Sequence, residues 1–146
     1  MFANINKDDY IYILLLFLTR LNINLTMSKK TLVFGASLKP ERYSNMAIRR
    51  LVSYNHETVA FGMKEGLEAG VVIDIELKPY DQLNTVTLYV NPGRQKAYYN
   101  DIVSLKPKRV IFNPGTENPE FYLILKENNI AFEVACTLVL LSTNQY

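Results

Sequence analysis

Short apolar runs alternate with helical patterns over most of the chain. A strand buried in a parallel sheet typically reads as a continuous apolar run, often β-branched, with turn residues at both ends. Such runs predict five strands, at residues 31–34, 58–61, 85–90, 109–112 and 130–134.

Between these runs, apolar residues recur three and four positions apart, which is the spacing of an amphipathic helix. The spacing predicts one helix capped by Ser44 or Asn45, further helices over 95–105 and 119–128, and a short closing helix or turn at 137–141. Residues 64–84 contain glycines and a proline, so we predict a loop there with a short extended piece near 71–73.

Strands separated by helices indicate βαβ units, and right-handed crossovers then give a Rossmann-like, doubly wound α/β fold. We predict a mostly parallel five-stranded sheet with helices on both faces. Ligands of such folds bind outside the carboxyl ends of the strands. The loops at that edge are therefore the first place to look for a site.

Residues 1–26 do not follow this pattern. Their apolar run at 10–18 has nine residues, whereas a membrane helix needs roughly 20, and no small-residue cleavage site of a signal peptide follows it. Met27 opens a new segment that leads directly into the first strand. We expect Met27 to be the natural initiator, 1–26 an upstream extension and 27–146 the single domain. An amphipathic helix covering the domain and a weak membrane anchor are the alternatives.

The composition removes several classes of function. A single cysteine, Cys136, excludes an intramolecular disulfide framework and a multi-cysteine zinc site, and favours a reducing compartment, so we expect a cytoplasmic protein. A single histidine, His56, excludes a His-rich metal site, and we predict no bound metal. The net charge of +2 is too small to favour nucleic acid or an anionic membrane as a partner.

Two of the four loops at the predicted carboxyl edge repeat the same sequence. The loops are at 35–45, 62–66, 91–94 and 113–118, and the last two both begin with Asn-Pro-Gly after a strand and before a helix. Proline removes a backbone donor and glycine permits close approach, so both loops can lie flat against a ligand. Ordinary turn formation is the alternative interpretation.

The first loop has the features of a phosphate-binding loop. Gly35 directly follows the first strand, and the small residues Ala36 and Ser37 leave room for a phosphate to reach backbone N–H groups and the next helix. Lys39 and Arg42 add positive charge.

The loop differs from a dinucleotide fingerprint, because G-x-G-x-x-G is absent. An acidic partner for an NAD ribose is also missing after the second strand, where Lys64 suits a phosphorylated ribose instead. These features argue against NAD and leave NADP or another phosphorylated adenine nucleotide.

Four features of the chain together resemble the small stand-alone CoA-binding domain proteins, which are similar to the N-terminal CoA-binding domain of the succinyl-CoA ligase alpha subunit. They are Gly-Ala-Ser at 35–37, Pro-Glu-Arg-Tyr-Ser at 40–44, Asn-Pro-Gly-Thr-Glu-Asn at 113–118 and the late Cys136. The resemblance covers residue 29 to about residue 141. The chain departs from it at 60–64, Ala-Phe-Gly-Met-Lys, where many members have a Pro-Val-Asn-Pro-type segment.

The resemblance implies coenzyme A as the ligand, bound across the strand ends. It implies that residues 35–37 meet the pyrophosphate, with Arg42 and Ser44 nearby, while Lys64 could face a 3′-phosphate. The full set of candidate cofactor-binding residues is Gly35, Ala36, Ser37, Lys39, Arg42, Tyr43, Ser44, Gly62, Lys64, Asn91, Pro92, Asn113, Pro114 and Gly115.

No residue is predicted to be catalytic. We place His56 at the amino edge of the sheet as a solvated loop residue, and we expect Cys136 to be a buried structural thiol, with a reactive thiol able to form a mixed disulfide with CoA as the alternative. The expected function is binding of CoA or an acyl-CoA, without nucleic acid or membrane partners, and an oligomer is compatible with the sequence. The alternatives are an NADP- or other nucleotide-dependent enzyme completed by a partner, and an interaction module with a vestigial nucleotide site.

Overall fold

The structure, a computed structural model, describes residues 6–146, without the side chains of residues 21–27. Residues 1–5 of the segment predicted to be an extension therefore lie outside the described residues. The helices are α1 Lys7–Met27, α2 Tyr43–Ser53, α3 Pro92–Gln95, α4 Tyr99–Ser104, α5 Pro119–Glu127 and α6 Thr137–Ser142, with a 3₁₀ turn at Lys96–Tyr98. The strands are β1 Thr31–Ala36, β2 Thr58–Gly62, β3 Gly66–Glu68, β4 Val71–Asp74, β5 Thr85–Leu88, β6 Arg109–Phe112 and β7 Ala131–Val134.

The strands form a single sheet in the order β3-β4-β2-β1-β5-β6-β7. The central strand β1 pairs in parallel with both neighbours, so that Thr31 lies opposite Thr58 in β2 and opposite Thr85 in β5. Only β3 runs antiparallel, against β4. This arrangement confirms the prediction of a Rossmann-like, mostly parallel sheet.

The predicted number of strands is wrong, because the segment predicted as a loop contains the hairpin β3–β4. Glu68 pairs with Val71, which leaves Ala69 and Gly70 as a two-residue turn, and both have positive φ angles, 49° and 79°. A two-residue hairpin turn with positive φ at both positions favours glycine. Gly70 is therefore a hairpin signal, and the sheet has seven strands in the described part of the chain.

Alternate residues of the central strands bury against helices on opposite faces. Leu32 and Phe34 belong to one core with Phe121 of α5, while Val33 belongs to the other core with Ile48 of α2. The two layers of helices fix where the strands end, and thus the position of the carboxyl-edge loops.

Helix α1 differs from the others because the apolar side chains of its described part remain exposed. From Tyr10 to Leu18 every side chain is between 46% and 65% exposed. These side chains therefore do not cover the domain. Within residues 6–146, no helix combines the length and hydropathy needed to cross a membrane.

Candidate functional site

A cleft of about 530 Å³ opens at the carboxyl edge of the sheet, where the loops after β1, β5 and β6 meet. Ten of the fourteen candidate residues line it: Gly35, Ala36, Ser37, Lys39, Arg42, Tyr43, Ser44, Asn91, Pro114 and Gly115. The loops at three strand ends thus converge, as the fold class predicted. Their contact with a ligand stays a prediction.

The loop after β1 requires glycine at position 35. Gly35 has a φ of +94°, a conformation that other residues rarely adopt. A Cβ there would lie 2.9 Å from Val90 Cγ1 and 3.1 Å from the carbonyl carbon of Tyr89. Gly35 therefore lets the end of β1 approach the chain leaving β5, which brings the first and third loops together.

Helix α2 begins at the cleft without a capping side chain. Its N-cap is Arg42, which has extended backbone and makes no capping hydrogen bond. The prediction that Ser44 or Asn45 caps this helix is wrong: Asn45 Nδ2 donates instead to Ser37 O at 2.9 Å and to Glu68 Oε2 at 2.9 Å. The first N–H groups of an uncapped helix are free to bind an anion.

The cleft has a positive electrostatic character. Its charged lining residues are Lys39, Arg42 and Arg94, and no carboxylate side chain of the described residues lines it. Sequence reasoning missed Arg94, although its position one residue after Asn-Pro-Gly at 91–93 was a usable signal. Asn91 caps α3 by accepting from Arg94 N at 3.0 Å, so this cap fixes where the arginine leaves the backbone.

Met63, Tyr89, Val90 and Thr116 also line the cleft without having been predicted. Tyr89 and Val90 directly follow β5, and they had been assigned to the strand itself. Met63 follows β2, next to the predicted Gly62. Only their position in the sequence could have indicated that they line the cleft, because each lies one or two residues beyond a strand end or beside a predicted site residue.

Gly62 and Lys64, by contrast, lie outside the cleft lining. Gly62 is buried opposite Ala36, and a Cβ there would come within 2.3 Å of the Ala36 carbonyl oxygen. The missing side chain of Gly62 therefore allows the ends of β1 and β2 to approach each other closely. Lys64 is exposed in the turn after β2.

Pro92 also lies outside the cleft lining and is the first residue of α3. A proline is favoured there because that position needs no backbone N–H donor.

Asn113 is buried beneath the cleft, where it joins three elements. Its Nδ2 donates to Thr87 Oγ1 at 2.7 Å and to Leu88 O at 2.9 Å, while its Oδ1 accepts from Thr137 N at 2.9 Å. These bonds connect β5, the end of β6 and the start of α6. Asn113 thus holds the loop that follows it, and its side-chain amide has no N–H left for a ligand.

A second buried amide joins the two Asn-Pro-Gly loops. Gln95 Nε2 donates to Val90 O at 2.9 Å and to Thr116 O at 2.7 Å, and its Oε1 accepts from Asn118 Nδ2 at 2.9 Å. Asn118 also caps α5, because its Oδ1 accepts from Phe121 N at 3.2 Å. Fully bonded polar networks of this kind rigidify a site.

A smaller chamber of about 200 Å³ adjoins the cleft. Tyr43, Tyr89 and Pro114 line both spaces, and Cys136 lies in the chamber wall. The expectation of a buried thiol is therefore wrong in part: Cys136 is half-buried, because it precedes α6 at the sheet edge.

A second groove, of about 740 Å³, is a different feature. It is a groove on the outer surface of α2 and α6, lined by residues such as Arg50 and Val139. Neither strand ends nor loop backbone line this groove. We therefore place the candidate site in the carboxyl-edge cleft.

His56 lies at the amino edge, far from the cleft in the sheet, but it is half-buried rather than solvated. Its Nδ1 accepts from Lys29 N at 2.9 Å, and its ring lies 4.8 Å from that of Tyr146. Burial, together with the charges of Lys29 and Arg109, lowers the pKa of His56. The residue thus serves as a structural contact.

No group of three His, Cys, Asp or Glu residues within the described range could hold a metal ion.

Comparisons with solved structures support the same architecture. A structure described as an uncharacterized protein is 49% identical, covers 82% of this chain and 98% of its own, and superposes with a TM-score of 0.79. A hypothetical protein from Pyrococcus horikoshii is 25% identical over 83% of this chain and 87% of its own, with a TM-score of 0.70. A Thermus thermophilus protein, 22% identical over 88% and 98%, shares the fold with a TM-score of 0.70.

No curated protein matches the sequence at a significant level. The family model described as a CoA binding domain matches residues 29–142, which is most of the chain and includes every loop of the cleft. The chain therefore belongs to the CoA binding domain family.

Proposed function

We propose that this protein binds coenzyme A or an acyl-CoA in the carboxyl-edge cleft and has no catalytic machinery of its own. The observation that carries the proposal is the joint presence, in a chain of this family, of an uncapped helix start and three basic side chains at one cleft. CoA carries a pyrophosphate and a 3′-phosphate, and such anions are what these groups bind best.

The pyrophosphate fits the start of α2. The loop at 35–37 has only small side chains, so a phosphate can approach the backbone N–H groups of the first turn at Tyr43 and Ser44. Arg42 stands at this turn as the N-cap and lines the cleft, where its guanidinium can bind a phosphate in bidentate fashion.

The pantetheine arm fits the surface between the two Asn-Pro-Gly loops. Pro114 and Gly115 line the cleft there, and Gly115 has a φ of +90° with open space where a Cβ would be. The buried amide of Gln95 holds the two loops at a fixed separation. A preformed groove lowers the entropic cost of ordering a flexible arm.

The absence of catalysis is supported by the positions of the two residues best suited to proton transfer or nucleophilic attack. The His56 Nδ1 is occupied as an acceptor at the opposite edge, so it cannot act as a base in the cleft. Cys136 has no Lys, Arg or His beside it in the chamber lining, and such a neighbour is what usually activates a thiol.

Calorimetric titration with CoA, dephospho-CoA and NADPH tests the proposal, with Arg42→Ala as the variant. We expect saturable CoA binding that weakens without the 3′-phosphate. Loss of one charged hydrogen bond costs about 1.5–3 kcal/mol, so Arg42→Ala should bind CoA about 10- to 100-fold more weakly. Arg50→Ala is the matched control, because Arg50 is exposed on the same helix and lines the outer groove instead.

Three results would contradict the proposal. Unchanged CoA affinity in Arg42→Ala would remove the first loop from the site. Tighter binding of NADPH than of CoA would favour an enzyme completed by a partner. No binding of any of the three compounds would favour an interaction module with a vestigial site.

A further inference from the structure

The small chamber beside the cleft is apolar in character although it contains polar residues. Asn113 lies in its wall, but its amide N–H groups and its Oδ1 are engaged by Thr87, Leu88 and Thr137. Tyr89 also lines it, and because the hydroxyl oxygen of Tyr89 is fully buried, the tyrosine presents its ring to the chamber. A guest therefore meets mainly carbon and sulfur.

The chamber is a direct neighbour of the cleft. Tyr43, Tyr89 and Pro114 line both spaces, so the route from the cleft into the chamber leads past these three residues. The basic residues Lys39, Arg42 and Arg94 line only the cleft. The phosphate end of a ligand thus belongs in the cleft, and its uncharged end belongs in the chamber.

We infer that the chamber is an acyl pocket and that the preferred ligand is a short-chain acyl-CoA thioester rather than free CoA. This inference rests on the proposed function, since it assumes that the phosphates of CoA occupy the cleft. The uncharged end of CoA is its thiol, which is where an acyl group is attached. A free thiol would leave most of the apolar wall uncovered.

The volume sets the length of the acyl chain. A dry cavity of about 150 Å³ lined by apolar side chains accommodates benzene, which has about six carbon atoms. The chamber of about 200 Å³ is slightly larger. We therefore expect acyl chains of about two to six carbons to fit and long fatty acyl chains to gain nothing further.

Titration of the protein with CoA, acetyl-CoA, butyryl-CoA, hexanoyl-CoA and palmitoyl-CoA tests the inference. Burying one methylene raises affinity about fourfold, so butyryl-CoA, which has two methylenes more than acetyl-CoA, should bind about 16-fold more tightly than acetyl-CoA and also more tightly than CoA. Palmitoyl-CoA should bind no more tightly than hexanoyl-CoA. Equal affinity for CoA and butyryl-CoA, or a steady rise up to palmitoyl-CoA, would overturn the acyl pocket while leaving the proposed function intact. If none of these compounds binds, the proposed function itself fails.

A variant that fills the chamber gives an independent test. Leu138→Phe adds volume at the chamber wall, and it should abolish the preference for butyryl-CoA while leaving CoA affinity within about twofold. Leu123→Phe is the matched control, since Leu123 is exposed on α5 and should keep the preference. Thermal unfolding of both variants checks that the fold is retained.

Cys136→Ala separates the acyl group from the thiol as the occupant. The substitution enlarges the chamber, so the acyl-chain length that binds most tightly should increase, for example from butyryl to hexanoyl. Binding of CoA itself should be retained. If Cys136→Ala loses CoA binding, or if the native protein forms a covalent adduct with CoA disulfide in place of an acyl preference, the occupant is the thiol end and the acyl pocket is contradicted.

Discussion

The amino edge of the sheet and the carboxyl-edge cleft differ in whether their charged side chains have partners within the protein. At the amino edge, Arg109 Nη1 lies 3.1 Å from Glu133 Oε2, and the Arg109 guanidinium lies over the ring of Tyr146 at 4.6 Å. Lys29 Nζ donates to the main-chain oxygen of Tyr146 at 2.7 Å. The chain itself thus supplies partners for these charges.

In the carboxyl-edge cleft, by contrast, the basic side chains are left without a carboxylate partner. None of the ion pairs formed by the described residues includes Lys39, Arg42 or Arg94. Beneath them, in contrast, the amides of Gln95 and Asn113 are bonded to the protein. The candidate binding edge is therefore distinguished by unpaired charge above hydrogen-bonded amides, whereas charge alone does not distinguish the two edges.

The largest expected loss of stability comes from adding a side chain where the end of β1 approaches the chain that leaves β5. Gly35→Ala combines a φ of +94° with a Cβ that lies 2.9 Å from Val90 Cγ1 and 3.1 Å from the Tyr89 carbonyl carbon, and strain of this kind plus overpacking should cost about 4 kcal/mol of the free energy of unfolding. Urea unfolding measures it. Gly115→Ala has a similar φ but open space around its Cβ, so it should cost only about 1–2 kcal/mol. Equal costs would contradict the packing argument.

A smaller loss of stability should follow from removing the buried hydrogen bonds of Asn113 beneath the cleft. Asn113→Ala leaves Thr137 N and Leu88 O without their partner, which should cost about 3 kcal/mol. Asn100→Ala, on the exposed surface of α4, is the control and should stay within about 0.5 kcal/mol of the native protein. Urea unfolding again gives both numbers. A fully stable Asn113→Ala protein would show that the loop holds its position without this network.

The smallest effect concerns the amino edge and its pH dependence. Since the folded-state pKa of His56 is lowered, first by burial and then by Lys29 and Arg109, the unfolded chain binds the proton more readily. The contribution of His56 to the free energy of unfolding is therefore complete at pH values above its pKa in the unfolded chain. This contribution is lost as the pH falls through its pKa in the folded protein.

We therefore expect the native protein to lose slightly more stability than His56→Gln between about pH 7.5 and about pH 5, by less than about 1 kcal/mol because the half-buried ring is partly screened by solvent. Urea unfolding at both pH values measures the difference. A native protein that loses less stability than the variant as the pH falls over this interval would contradict the sign.

Much of the fold could be predicted because buried parallel strands carry continuous apolar runs. The extended piece predicted near 71–73 is confirmed as β4, but its partner β3 was missed because it has only three residues, and Gly66 and Gly70 resemble loop residues. The cap of α2 was misassigned because Asn45 is recruited by Ser37 and Glu68, which are 8 and 23 residues away. Local sequence preference does not reveal such distant partners.

The candidate site was predictable only where a loop follows a strand directly. The small residues at 35–37 and the second Asn-Pro-Gly could be predicted from their residue types, and the structure brings both to the cleft. Gln95 lies on a helix, and its role depends on bonds to Val90 and to Thr116, which is 21 residues away. Its function as a support is a property of the tertiary structure.

The most direct test of the central claim is to record amide NMR spectra of the protein during titration with CoA. The account predicts that the amide signals of residues 35–39, 41–44, Asn91 and Gly115 shift most strongly, while those of His56 and Tyr146 at the amino edge stay in place. Shifts confined to the amino edge, or to Arg50 and Ser142 of the outer groove, would contradict the assignment of the carboxyl-edge cleft as the CoA site.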